Sequence, residues 1–495
     1  MHQVRKVVIA GGGTAGWLAA FALSRQMGDI LDITLVESDE IGTVGVGEST
    51  IPPIRAFHRL LRVDEQTFMR ETASTFKLGI AFENWGGLGR RYNHFFGRHG
   101  KETWLCGFHH FWLRARELGF AGEFGAYCYE AQAGMAGKFA VTSQPEINYA
   151  YHLDAARYAK FLRGLSERQG VRRVEGKIAQ VRQRGDDGFI EALVLESGQV
   201  IEGDLFIDCT GFRGLLIEQT LHTGYEDWSH WLPCDRAVAV QTESVGPPAP
   251  YTLSVAHEAG WRWRIPLQHR VGNGLVYCSR YMSDDEATAK LLREIEGRPI
   301  IEPRVIRFRT GRRLKTWNAN CVALGLASGF LEPLESTSIH LIMTGVIRLM
   351  QLFPFNGVRP CLVDLYNERS RIEIEQVRDF IVLHYHVTDR DDSPFWRACR
   401  SMEIPESLAL RIALFRESGH AFQLDGELFQ VDSWTQVMLG QGIMPRQYHR
   451  FASAMKEQDL RYLMESLRTS IAQAVARLPS HQEFIDRYCR APVAA

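Results

Sequence analysis

Residues 7–10 (VVIA) form an unbroken apolar run, followed by three glycines and "TAGWLAAFALSRQM", in which apolar positions recur at helical spacing. The pattern predicts a buried strand, a loop and an amphipathic helix. "DITLVE", residues 32–37, returns as a second strand. Two later stretches, "DLFIDCTGFRGLL" (204–216) and "CVALGLASGFLEPLESTSI" (321–339), each read as a buried strand entering a small-residue turn. The second carries a helix start near Pro333. A period of two governs "GWRWRIPL", residues 260–267, where Trp261 and Trp263 alternate with Arg262 and Arg264 before Pro266 ends the strand. In extended backbone the two indoles share one face and the two guanidinium groups the other. By itself this is a half-buried strand that packs large rings into a core. The final third, with "IEIEQVRDFIVLHY", "SWTQVMLGQGIMP" and "LRYLMESLRTSIAQAVARL", is helical in period. The expected class is α/β, with residues 1–385 as the main body, an additional β-sheet within it, and 386–495 as a helical subdomain.

Composition narrows the functional classes. A chain of 495 residues, 45% hydrophobic, has enough apolar surface for two intimately packed units. A formal net charge of −1, with no long basic block, argues against nucleic acid or an anionic membrane as partner. The nine cysteines are scattered and free of any C-x-x-C pair, a reduced pattern and not a disulfide framework or zinc site. The apolar run from Val7 to Leu23 is interrupted by glycines and Thr14, so it reads as structure and not as a targeting or spanning segment. A soluble, cytoplasmic protein is expected. The loosest stretch is "ESVGPPAPY", residues 243–251.

Gly11, Gly13 and Gly16 stand in G-x-G-x-x-G spacing between the first strand and the helix, and Glu37 ends the second strand. Gly11 permits the tight turn, Gly13 lets the backbone approach a pyrophosphate, and Gly16 lets helix and strand close on each other. The helix N-terminus offers N–H groups to phosphate, and Glu37 suits ribose hydroxyls. This is a dinucleotide site. FAD is favoured over NAD because further nucleotide-facing strands, in 204–216 and 321–339, spread the unit over more than 300 residues.

"GGGTAGW" (11–17), "GVGEST" (45–50) followed by Ile51 and Pro52, "FKLGIAF" (76–82), "GWRWRIPL" and "EPLESTSI" (332–339) occur in this order along the chain. Together they resemble the flavin-dependent halogenases, tryptophan-halogenase branch, over nearly the full length. The resemblance implies a Rossmann-like, monooxygenase-type FAD domain and a helical C-terminal subdomain covering an aromatic substrate. It implies that FADH2, oxygen and a halide yield hypohalous acid, which travels to Lys77 and halogenates an electron-rich, indole-like ring. Glu335 is then the carboxylate acting on the ring, and Ser336 links the flavin and substrate ends. The backbone N–H groups of Thr337 and Ser338 hold the halide. Many relatives carry glycine where Ser338 stands, so chloride and bromide are both open. Flavin contacts fall on Gly13, Thr14, Ala15, Gly16, Val181, Leu326 and Ile339. Trp261 and Trp263 shield the flavin from substrate.

Only one nucleotide motif is present, so FADH2 should come from a separate NAD(P)H-dependent flavin reductase. Two rivals are a hydroxylating flavin monooxygenase, against which Trp261 and Trp263 with Lys77 count, and a non-catalytic flavin-binding protein, which Lys77 and Glu335 together disfavour. His384 and His386, two apart near Asp389, invite a metal reading, but core or surface histidines are the expectation and no metal is called for. "HHFWLRARELGF" (109–120) is aromatic-rich and is a candidate for the substrate chamber lining, although an aromatic helix stripe is more often core. Phe422, Phe429 and Trp434 are substrate-lining candidates. Natural substrate, regiochemistry and oligomeric state, a homodimer included, stay open.

Overall fold

The computed structural model describes residues 3–42, 48–101 and 103–492. Gly45, Val46 and Gly47 of the "GVGEST" stretch lie outside the described residues.

The run at residues 7–10 is the heart of strand β1 (Lys6–Ala10), which pairs in parallel with β2 (Asp32–Glu37) on one side and the Leu205–Asp208 strand on the other. The strands Arg172–Glu175 and Cys321–Ala323 extend this parallel arrangement, and the short Trp317–Asn318 strand closes one edge as a hairpin. The central positions of β1, β2, Leu205–Asp208 and Cys321–Ala323 are buried on both faces, hence apolar runs without alternation, whereas Arg172–Glu175 at the edge buries only Val174. Helix α1 (Thr14–Met27) differs from the amphipathic expectation. Gly16 through Ser24 are buried without a break. It packs against the Ala155–Arg168 and Ser338–Gln351 helices, so solvent never reaches its central turns.

The second sheet has seven strands, ordered Arg304–Arg307, Arg236–Thr242, Val271–Tyr277, Gly260–Pro266, Thr252–His257, Gly79–Glu83 and Arg91–Phe95. The Gly260–Pro266 strand is the expected "GWRWRIPL" strand, and its burial alternates as the pattern required. Trp261 and Trp263 face inward, while Arg262 and Arg264 pair outward with Glu294 and Glu296 at 3.3 and 3.2 Å. Trp263 opposes Gly274 on the neighbouring strand, and its ring lies across that glycine. A Cβ at Gly274 would fall 2.0 Å from the indole, so only glycine leaves room for it.

The C-terminal helices share one apolar core with this sheet, in which Trp85, Trp261 and Trp263 join Phe395, Trp396 and Trp434. The long Pro360–His386 helix is followed by the Pro394–Ser401 and Glu406–Ser418 helices. The Phe108–Glu117 helix carries Phe108, Phe111 and Trp112 into the same core. No helix among the described residues is long and apolar enough to cross a membrane.

Candidate active site

The turn after β1 opens onto a cavity of about 610 Å³ that runs between the two sheets. Gly11 sits at φ +109, a conformation that favours glycine, and a Cβ there would lie 2.3 Å from the Cys209 carbonyl. At Gly16 a Cβ would lie 1.9 Å from the Gly11 carbonyl, which is the close approach of helix and turn. Around Gly13 there is open space, so a ligand can reach its backbone. Gly12 was given no role by motif spacing. The carboxylate of Glu37 occupies the place of its side chain, 1.5 Å from a hypothetical Cβ. Glu37 lines the cavity and is fixed there: Oε1 accepts from Arg173 Nε at 2.5 Å and Oε2 from Trp17 Nε1 at 3.2 Å.

An adenine dinucleotide flavin fits these features. The open backbone at Gly13, Thr14 and Ala15 meets the uncovered start of α1, and Glu37 stands at the rim. Leu326 also lines the cavity. Three expected contacts do not. Val181 lies on the Ile178–Gln183 strand and packs on a separate apolar cluster with Val8 and Ile190; the cavity reaches only Gly176, Lys177 and Ile178 at the near end of that strand. Ile339, in the first turn of the Ser338–Gln351 helix, is 1% exposed and turns into the core, while Thr337, Ser338 and Leu341 face the cavity. Gly16 lies behind the wall, where its role is packing.

Trp261 and Trp263 line the same cavity, with ring centroids 5.9 Å apart. They are core residues and cavity wall at once. Opposite in sequence, "EPLESTSI" does not enter the long helix directly, as its proline suggested. Pro333–Glu335 is a single tight turn, Ser336 takes a left-handed conformation at φ 61, and the helix starts at Ser338. A serine held at positive φ is strained, and such strain gathers at working sites. Here it turns Ser336 toward the cavity and leaves Glu335 on the far side. Thr337 makes no capping hydrogen bond at the helix start.

Lys77, on the three-residue Thr75–Lys77 strand, is fully buried and donates to Ser336 Oγ at 2.8 Å and to the Thr50 carbonyl at 3.1 Å. Burial lowers its ammonium to about 7, against a smaller upward pull from Glu335. Glu335 is 1% exposed and held between two imidazoles, with His94 Nδ1 2.8 Å from Oε2 and His384 Nε2 2.9 Å from Oε1. Burial would raise this carboxyl, but the two histidines outweigh it and bring it to about 2. Tyr92 Oη lies 2.6 Å from His384 Nδ1 and completes the chain.

His384 therefore belongs to the site, and sequence spacing pointed the wrong way. His386, two residues on, is only partly buried, and Asp389 pairs with Arg90 at 2.7 Å. The three do not converge, and among the described residues no group of three or more His, Cys, Asp or Glu could hold a metal. Helical period does not mark His384: Val377 through Tyr385 are buried without a break, His384 among them, and His386 follows at the helix end, where burial is only partial. Phe429 and Trp434 both pack on Phe380, and the Phe429 ring also lies 6.1 Å from that of His94. Phe429 stacks on Phe380 at 3.7 Å and Trp434 meets Phe380 edge-on at 4.8 Å, both in the core. Arg411 lies over Phe422 and Trp434, each at 4.2 Å.

The family model for tryptophan halogenase matches residues 6–457. A tryptophan 6-halogenase from Streptomyces toxytricini is 38% identical over 442 residues, covering 82% of this chain and 83% of that protein. Among solved structures, a flavin-dependent halogenase from Xanthomonas campestris has a TM-score of 0.98 at 56% identity, covering 100% of both chains. Another, from Brevundimonas sp. BAL3, has a TM-score of 0.94 at 44% identity, covering 98% of this chain and 99% of that one. The family uses reduced FAD and a halide. A cavity shaped for a flavin and the match along nearly the whole chain agree: the protein belongs to the tryptophan-halogenase family and is a flavin-dependent halogenase.

Proposed function

We propose that this enzyme is the halogenating half of a two-component system, taking FADH2 from a separate reductase and acting on an electron-rich, indole-like aromatic. The observation that carries the reading is the placement of Ser336. It lines the cavity, its hydroxyl accepts from Lys77, and its chain neighbour is Glu335. Lys77 thus stands one side chain behind the cavity wall, between a flavin site and a buried carboxylate.

Bound FADH2 with O2 supplies the oxidising power that turns halide into hypohalous acid. Thr337 and Ser338, at the uncapped start of a 14-residue helix, offer N–H groups and a positive dipole end to the halide. Lys77 receives the hypohalous acid. With a pKa near 7 it is part ammonium and part free amine at neutral pH, able to hydrogen-bond the oxidant's oxygen or to take up the halogen. In transfer, ring π electrons form the carbon–halogen bond as the bond to oxygen breaks. Lys77 protonates the departing hydroxide to water, the ring C–H proton passes to Glu335, and return of that proton restores the lysine. A carboxyl near 2 is a weak base, but a protonated arene is a far stronger acid, so the transfer runs downhill. The main contribution of Glu335 is its fixed negative charge beside the cationic ring.

Relatives named as tryptophan 6- and 7-halogenases support an indole ring as target. The test supplies FADH2, oxygen, chloride or bromide and a panel of indoles, with products read by mass. A halogen mass shift supports the proposal. An added oxygen assigns a hydroxylase, and no product assigns a flavin-binding protein.

A further inference from the structure

Glu332 stands three residues before Glu335, at the start of the same turn, and is completely buried. Its Oε2 accepts from the Trp261 indole N–H at 2.9 Å and from the Tyr385 hydroxyl at 2.5 Å. Its Oε1 has no hydrogen-bond partner among the described residues. Glu332 does not line the cavity; it lies directly behind Trp261, which does. Tyr385 is the residue after His384 in the Pro360–His386 helix, so two successive side chains of one helix hold the two carboxylates at either end of one turn. Burying a carboxylate with only two neutral donors is expensive, and desolvation raises Glu332 to about 7. A hydrophobic residue would fill this place at lower cost if the only requirement were packing.

We propose that Glu332 and Tyr385 are positioning residues that fix the ring plane of Trp261 against the flavin cavity and tie it to the turn bearing Glu335 and Ser336. This rests on the cavity being where oxidant is made. The anchoring of the ring can be tested without it.

Two measurements on the full chain separate the parts. The apoprotein labelled with 5-fluorotryptophan gives a fluorine line for Trp261, assigned by its loss in Trp261→Phe. Glu332→Gln keeps an acceptor oxygen for both donors, so this line should stay in place. Tyr385→Phe and Glu332→Leu should shift and broaden it. In the flavin-loaded enzyme, peroxide released per FADH2 consumed should rise several-fold in Tyr385→Phe and Glu332→Leu, and stay at the wild-type level in Glu332→Gln. Adding Tyr385→Phe to Trp261→Phe should raise it no further. Where Glu332→Leu fails to fold, Tyr385→Phe and the double variant decide. An unmoved fluorine line in Tyr385→Phe overturns the anchoring. A moved line with unchanged peroxide yield, or an additive double variant, overturns its link to the reaction. A wild-type enzyme that makes no halogenated product overturns the proposed function instead, while the fluorine line still decides the anchoring.

Discussion

Replacing Lys77 with Met should make the folded protein more stable and the enzyme inactive. The drop from the ordinary lysine value of 10.5 to about 7 corresponds to about 5 kcal/mol of unfavourable burial of the charged form. The sign follows from linkage. Below pH 7 both folded and unfolded states carry the proton, and the full penalty is present. Between pH 7 and 10.5 the folded state has released it while the unfolded state has not, so the penalty shrinks with rising pH and vanishes above 10.5. Met removes the charge and nearly matches the volume, but it leaves the Thr50 carbonyl and the Ser336 hydroxyl without this donor. The hydroxyl can turn; the carbonyl loses about 1–3 kcal/mol. The net expectation below pH 7 is a gain of about 2–4 kcal/mol for Lys77→Met. The assay is paired thermal scans of apoprotein at one scan rate, at pH 6 and at pH 9. The melting temperature of the variant should exceed wild type at pH 6, and the gap should narrow at pH 9. Halogenated product should be lost at both pH values with FAD affinity unchanged. A variant less stable than wild type at pH 6, a gap that widens with pH, or near-normal product would refute the reasoning.

Glu335→Gln should slow halogen transfer by roughly 10²–10³-fold, read by product mass against time, with hypohalous acid release unaltered; loss of FAD instead would make Glu335 structural. NADH alone should barely reduce the bound flavin, and adding a flavin reductase should switch turnover on, since the one G-x-G-x-x-G unit serves FAD; rapid bleaching by NADH alone would contradict this. Gly274→Ala should displace the Trp263 ring and cost about 1–3 kcal/mol of stability by overpacking, measured by chemical denaturation; an unchanged midpoint would mean that the ring has other room.

How much of this was legible in the sequence differs by element. The parallel sheet was visible because its strands are buried on both faces and flanked by glycine turns, so the runs at 7–10, 204–216 and 321–339 could hardly be anything else. The wall of indoles was visible because strand period puts Trp261 and Trp263 on one face. The site's electrostatics were not visible. The charge state of Glu335 depends on His94 in one edge strand and His384 in a helix nearly 300 residues later, and their meeting is a property of the shared core. Gly12 and Gly274 were silent for a related reason: each is small only to admit a side chain, Glu37 or Trp263, from another strand.

The misplaced expectations have the same origin. Helix α1 looked amphipathic because one face carries Arg25 and Gln26 at its end, but neighbours on two sides close over its centre. Phe429 and Trp434 share Phe380 as a packing partner, a meeting of rings that no local pattern announced. Local pattern reports which face a residue takes; it does not report what waits there. That is why Glu332, unmarked beside its neighbour Glu335 in "EPLESTSI", became interpretable only once Trp261 and Tyr385 were found on the same oxygen. Two carboxylates three apart in one turn meet opposite fates, one ionised between imidazoles and one raised by burial between neutral donors. The split follows from the partners each carboxylate meets: two imidazoles for Glu335, an indole N–H and a phenol for Glu332.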